Sequence, residues 1–288
     1  MEARLTLGPL RIAGRLVTVE TNSVDFAANV EWSFGDLIAR AEEVGEQLSA
    51  IRFEVIESTR ATHQWGIWRD GEPCEITLEE GYVLFQLQWE FNQIVLEERQ
   101  TTLHAAAVEI DGHCVILSGS SMSGKTTLAG WLAAEGAGYV ADEIVALNSD
   151  SQALHYRRPL GLRHGGPLDQ QFAYPDHLAE RFQSYEKLIP VSALRGCLMA
   201  SEPLRVSAII FPSYEPGQPT SLTPIAKSVA LERLFANAPG LIRHGRPVFK
   251  QITELIRNVG TFQLISTELH KVGELLRRLP DALDNHVG

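Results

Sequence analysis

The chain has 288 residues, 44% of them hydrophobic and 21% charged, with a formal net charge of -11; it is globular in composition and long enough for two domains or one elaborated one. The acidic balance argues against a surface built on clustered Lys and Arg for nucleic acid or anionic lipid, and leaves room for local basic pockets. Cys74, Cys114 and Cys197 lack metal-ligand spacing, the first residues lack a signal pattern, and no apolar run reaches membrane-spanning length, so a reduced, cytoplasmic protein is expected, with neither export nor a membrane span.

Up to about residue 100 the pattern is mostly that of strands. Alternating β-branched and aromatic residues predict strands over 15–20, 51–57, 63–71 and 75–88, with Asp70 and Gly71 as a hairpin turn. Apolar residues at helical spacing predict helices over 34–48 and 89–100. No linker of Gly, Ser or Pro separates this part from the next.

From residue 103 two short apolar runs flank Asp111 and Gly112, a pair suited to a type I′ turn, and predict an antiparallel hairpin. A glycine-rich loop follows the second strand, then a helix from Gly124 that Gly136 should stop, then a strand over 138–147 with an acidic pair inside it. That strand is expected to lie alongside the one that bears the loop. Farther on, 205–212 reads as a buried strand, and Thr223 before Pro224 reads as the start of a helix through Asn237. Helices over 246–258 and 267–279 complete the layers.

The loop, Gly119-Ser120-Ser121-Met122-Ser123-Gly124-Lys125-Thr126, fits G-x-x-x-x-G-K-[ST], and it sits between a strand and a helix as the mechanism of that motif requires. Backbone N–H groups from Gly119 to Thr127, with the helix N-terminus, would converge on phosphates. Lys125 would lie between β- and γ-phosphate oxygens, and the Thr126 hydroxyl would coordinate Mg²⁺. Asp142 and Glu143, one helix beyond, are the acids able to share Mg²⁺ binding and removal of a proton from an acceptor hydroxyl.

Residues 103–147 resemble the nucleotide-binding core of HPr kinase/phosphorylase and its relatives, in which a histidine opens the hairpin and Ala-Asp-Asp or Ala-Asp-Glu follows the helix. Here these are His104 and Ala141-Asp142-Glu143. The resemblance implies an α/β fold: a P-loop kinase core with a mixed sheet and flanking helices over 101–288, behind a β-rich α+β domain over 1–100 that is a candidate for acceptor recognition. It implies that Asp142 activates the acceptor, with Glu143 a second acid and His104 lining the site, and that ATP and Mg²⁺ are the cofactors. It weakens beyond residue 147. The segments that recognise the HPr protein in bifunctional members are not found, and the first hundred residues look like the front part of HPr-kinase-like proteins, some of which phosphorylate a serine of a lasso peptide.

The expected activity is therefore ATP-dependent transfer of the γ-phosphoryl group to a hydroxyl, best to a serine of a peptide or protein. A small metabolite such as free serine, and a hydrolysis-driven switch with no phosphorylated acceptor, are the alternatives. No guanine-reading Asn-Lys-x-Asp motif is present. Arg157, Arg158 and Arg163, and the cluster Arg243, His244 and Arg246, are candidates for contacting phosphate or an acidic acceptor. Relatives often form multimers, which leaves a homo-oligomer open.

Overall fold

The computed structural model describes residues 4–39, 50–58, 64–99, 101–168, 172, 174–183, 185–194, 198–199 and 203–279. The chain forms two compact units, Met1–Val95 with Arg158–Ala193, and Leu96–Arg157 with Leu194–Gly288. The segment after Arg157 groups with the N-terminal segment, so the first unit is made of two stretches of chain.

The first unit begins with β1 (Leu5–Ile12), β2 (Arg15–Thr21), α1 (Val24–Ser33), β3 (Ile51–Glu57), β4 (Gln64–Arg69), β5 (Glu72–Glu79) and α2 (Val83–Glu98). Its sheet runs β1-β2-β3-β4-β5, with β2 and β3 parallel and the other pairs antiparallel. Period-2 alternation puts Val17, Val19, Phe53 and Val55 inside. Asp70 and Gly71 take positive φ, 53° and 87°, and close the β4–β5 hairpin as expected.

Two local readings need correction here. The strand expected over 75–88 ends at Glu79, and the chain then turns into α2, whose Val83, Leu84, Leu87, Phe91, Ile94 and Val95 are buried at helical spacing. Helix α1, capped by the Ser23 hydroxyl accepting from Phe26 N, was not expected at all. Of the helix expected over 34–48, Gly35–Leu37 forms a single 3-10 turn and residues 40–48 lie outside the described residues.

The second unit opens with β6 (Thr101–Leu103), β7 (Ala105–Ile110), β8 (His113–Ser118), α3 (Lys125–Ala134), β9 (Gly138–Ala141), β10 (Val145–Leu147) and β11 (Gln152–Ala153). The chain then enters the first unit, where β12 (Leu160–Leu162) pairs antiparallel with β13 (Lys187–Ile189). Phe182 anchors this excursion by edge contacts with Phe26 and Trp65, each at 5.3 Å between ring centroids. Back in the second unit come β14 (Leu198–Met199), β15 (Leu204–Tyr214), β16 (Ser221–Pro224), α4 (Lys227–Ala236), α5 (Pro239–His244), α6 (Arg246–Asn258), β17 (Gly260–Ser266) and α7 (Leu269–Arg277).

A mixed sheet organises this unit. Strand β8 lies between β7, antiparallel, and β15, parallel. Outside β7 come β9 and β14; outside β15 come β17 and β16, while the first residues of β15 pair with β11. Helices α3 and α7 cover one face, with Val108, Val115, Leu117, Ala208, Ile210 and Leu264 of the sheet meeting Leu128, Leu132, Val272 and Leu276. This is a mixed α/β architecture. Thr223 and Pro224, expected as a helix start, instead end β16 and pair with β17, and α4 begins three residues after Pro224 with no side-chain cap. Helices α6 and α7 fall where periodicity places them.

The packing of α7 on α3 is close at one point. A Cβ on Gly273 would lie 2.6 Å and 2.7 Å from ring carbons of Trp131. Gly273→Val is therefore expected to lower stability by about 1–3 kcal/mol through overpacking, read as a lower urea midpoint with an unchanged slope; an unchanged midpoint would show that the Trp131 ring moves aside without cost. No helix among the described residues is long and apolar enough to cross a membrane.

Candidate functional site

Strand β8 ends at Ser118 and α3 begins at Lys125, so the six residues between them are the glycine-rich loop. Gly124 takes φ 93° and serves as the N-cap of α3, with no side chain capping the helix. The N–H groups of Lys125, Thr126 and Thr127 belong to the first turn, which has no intrahelical acceptors to offer them. A helix start of this kind, with the positive end of its dipole facing the loop, is suited to an anion.

The rest of the loop is open. Ser120, Ser121 and Met122 are exposed, and Met122 has φ 66° with its side chain 78% exposed. It does not pack at the loop's edge, so an apolar side chain stands in solvent where the backbone adopts a left-handed conformation. Gly119 is tightly placed: a Cβ there would come within 2.8 Å of Ser123 Oγ. That hydroxyl oxygen is buried and has no hydrogen-bond partner among the described residues, which leaves a polar atom beneath the loop for a ligand oxygen to satisfy.

Lys125 is 5% exposed and turns back on the loop, its Nζ donating to the carbonyl oxygens of Gly119 and Ser120 at 2.9 Å each. Burial pushes its ammonium below the usual value, while the charges of Glu143 and then Asp142 oppose that shift. The lysine and both acids thus share one electrostatic neighbourhood.

The acids occupy different surroundings. Asp142 is 1% exposed, and its Oδ1 accepts from the Thr126 hydroxyl at 3.2 Å. Glu143 takes φ 65° in a three-residue turn closed by Ile144 N donating to the carbonyl oxygen of Asp142 at 2.7 Å. The turn breaks the strand expected over 138–147 into β9 and β10 and sends Glu143 toward His104, whose Nε2 lies 3.5 Å from Glu143 Oε1. Both of these side chains are over a third exposed, at 36% and 38%.

One expectation about position fails while its consequence survives. Strand β9 is not alongside β8; β7 lies between them. The helix that follows the loop supplies the connection instead, since Thr126 in its first turn bonds to Asp142 just past the end of β9. His104, between β6 and β7, is anchored by its own N–H donating to the carbonyl oxygen of Asn237 at 2.7 Å. No local signal marks Asn237, which reaches the site from the distant end of α4.

No model of a protein family matches the chain, and no curated protein matches it. Among solved structures it is similar to the HPr(Ser) kinase/phosphatase from Coxiella burnetii, at 13% identity over 64% of this chain and 93% of that one, with a TM-score of 0.33. At that level of similarity, the roles of side chains come from this chain's own geometry.

Other candidates separate from this cluster. In the first unit Arg158 is buried and its guanidinium faces the Gln88 side-chain amide, and Arg163 lies 4.0 Å from Glu186. Burial pushes the Cys114 thiol up to about 12, far from a neutral-pH nucleophile. No three His, Cys, Asp or Glu side chains among the described residues are grouped to hold a metal. A cation beside Thr126 and Asp142 would complete its shell with phosphate oxygens and water, the usual habit of Mg²⁺.

Proposed function

We propose that the protein is an ATP- and Mg²⁺-dependent phosphotransferase that moves the γ-phosphoryl group to a hydroxyl, most suitably that of a serine in a peptide or protein. The observation that carries this reading is the Thr126–Asp142 hydrogen bond of 3.2 Å at the mouth of a glycine-rich loop whose lysine is buried. It joins the hydroxyl and the carboxylate that a nucleotide-bound divalent cation requires, at the anion-binding end of a helix. The sequence resemblance over 103–147 agrees with it.

Thr126 and Asp142 fit Mg²⁺, which when bound would neutralise charge on the β- and γ-phosphate oxygens. The loop N–H groups would orient the phosphates, and Lys125 would exchange its carbonyl partners for phosphate oxygens and oppose the charge that develops on the transferred group. As the acceptor oxygen bonds to phosphorus and the bond to the β-phosphate oxygen breaks, ADP leaves and the hydroxyl proton passes to Asp142. Glu143 and His104 line the exposed side, where an acceptor approaches.

Incubation with ATP and Mg²⁺, followed by mass spectrometry of serine-containing peptides and free serine, tests the proposal. A phosphorylated peptide supports it, phosphoserine formed only from the free amino acid moves the acceptor to a metabolite, and phosphate release without a modified acceptor replaces it with a hydrolytic switch.

A further inference from the structure

The basic cluster Arg243, His244 and Arg246 is unused by the chemistry above. It lies on two helices rather than a loop: α5 ends at His244 and α6 starts at Arg246, with only Gly245, at φ 62°, between them. A side chain at that φ would be strained, so the glycine permits the abrupt change of direction.

Helix α6 divides cleanly. Val248, Ile252, Leu255 and Ile256 are buried, while Arg246, Phe249 and Lys250, spaced three and four residues apart, are exposed on another face. Phe249 remains 49% exposed although its ring stacks on Phe235 of α4, 4.9 Å between centroids and 21° between planes. On α5, Ile242 is 94% exposed beside an exposed Arg243. One bare isoleucine signifies little. Two large apolar side chains, with Arg243 and Arg246, neither of which forms an ion pair among the described residues, are exposed on the two helices either side of Gly245, and aromatic and arginine side chains are the types enriched at interfaces. Lys250 is partly matched by Glu254, at 3.9 Å.

The location ties this surface to the candidate site. The turn joining α4 to α5 contains Asn237, whose carbonyl holds the backbone of His104 at 2.7 Å, and α5 packs beside β6, which leads into His104. On a chain with a net charge of -11, an acidic polypeptide is repelled by the average surface and attracted at a local cluster of cations, which steers both encounter and register.

We infer that the Ile242–Arg243–Arg246–Phe249 surface docks the acceptor polypeptide, through acidic side chains and at least one large apolar side chain flanking its hydroxyl residue. The inference rests on the phosphotransferase reading and names its substrate class.

Fluorescence anisotropy tests it without requiring turnover. The probes are a fluorescein-labelled peptide with one serine among glutamates and leucines, and the same peptide with lysines for glutamates. The acidic peptide should bind more tightly than the basic one, lose affinity as salt rises, and bind at least about tenfold more weakly to Arg243→Glu/Arg246→Glu, since reversal replaces attraction by like-charge repulsion. Ile242→Ser should weaken it several-fold, and binding of a fluorescent ATP analogue should stay unchanged in both variants. Equal binding of the two peptides, or an unchanged Kd in the double variant, overturns the inference. A wild-type dimer in sedimentation that the double variant loses would also overturn it, by making a second copy the occupant. Failure of the wild type to bind the ATP analogue would strike the phosphotransferase reading instead, while the peptide measurements still report docking.

Discussion

Lys125→Ala is expected to reduce nucleotide turnover by about 10²–10³-fold, the usual cost of deleting one preorganised donor from a charge-stabilising site. Folding should survive, because the substitution removes an ammonium whose burial already opposes its charge. The lysine also predicts a pH dependence. Burial holds its pKa in the free protein below the ordinary 10.5, and a bound phosphate would raise it. Affinity is then full below the free-state value and declines as pH rises through it, until the higher bound-state value is passed. Titration calorimetry with an ATP analogue should show affinity falling on the alkaline side, from below pH 10.5, in the wild type and not in Lys125→Ala. A variant with wild-type turnover would remove the lysine from the chemistry.

Asp142→Asn should keep nucleotide affinity within a few-fold and lose transfer by about 10²–10⁴-fold, the range of general-base contributions. The amide oxygen can still accept from Thr126, so the geometry of the 3.2 Å contact is preserved while the carboxylate's charge and proton affinity are lost. Glu143→Gln supplies the control. Its carboxylate is 38% exposed and faces His104, so the smaller loss is expected there, in single-turnover rates measured with saturating ATP. If Glu143→Gln abolishes transfer and Asp142→Asn does not, the proton goes to the Glu143–His104 pair and Asp142 is left with the metal.

The hairpin before the loop, the loop, α3 and its stop at Gly136 were legible because each has a local cause: a pair of residues that tolerates positive φ, a fixed glycine spacing, and an apolar period that changes from two to 3.6. The different surroundings of the two acids were not. Asp142 and Glu143 read as one acidic pair in a strand, and only the left-handed backbone at Glu143 shows that they face different partners. Nothing in their spacing announces that turn.

The placement of β9 and β15 on either side of the β7–β8 hairpin was equally invisible, since it is set by pairing with residues farther along the chain rather than by local pattern. The start of α2 was misread for a different reason: the helix expected over 89–100 covers only the later turns of Val83–Glu98. Val83, Leu84, Leu87 and Phe91 follow helical spacing, but the run begins directly after a true strand with aromatic residues on both sides, and alternation wins in so short a window. The Pro224 misreading shows the reverse, a capping signal overruled by tertiary pairing with β17.

The excursion of Arg158–Ala193 into the first unit bears on how the molecule is made. During synthesis β8 and its loop emerge well before β15, and the whole excursion must be produced in between. Until β15 arrives, β8 has β7 on one side and a bare edge on the other, carrying Cys114, Val115, Ile116 and Leu117, all buried in the finished protein. An unpaired apolar edge is a template for pairing with another chain. The loop is therefore in place early on a strand that is protected late, and a chain ending before residue 204 would expose that edge permanently.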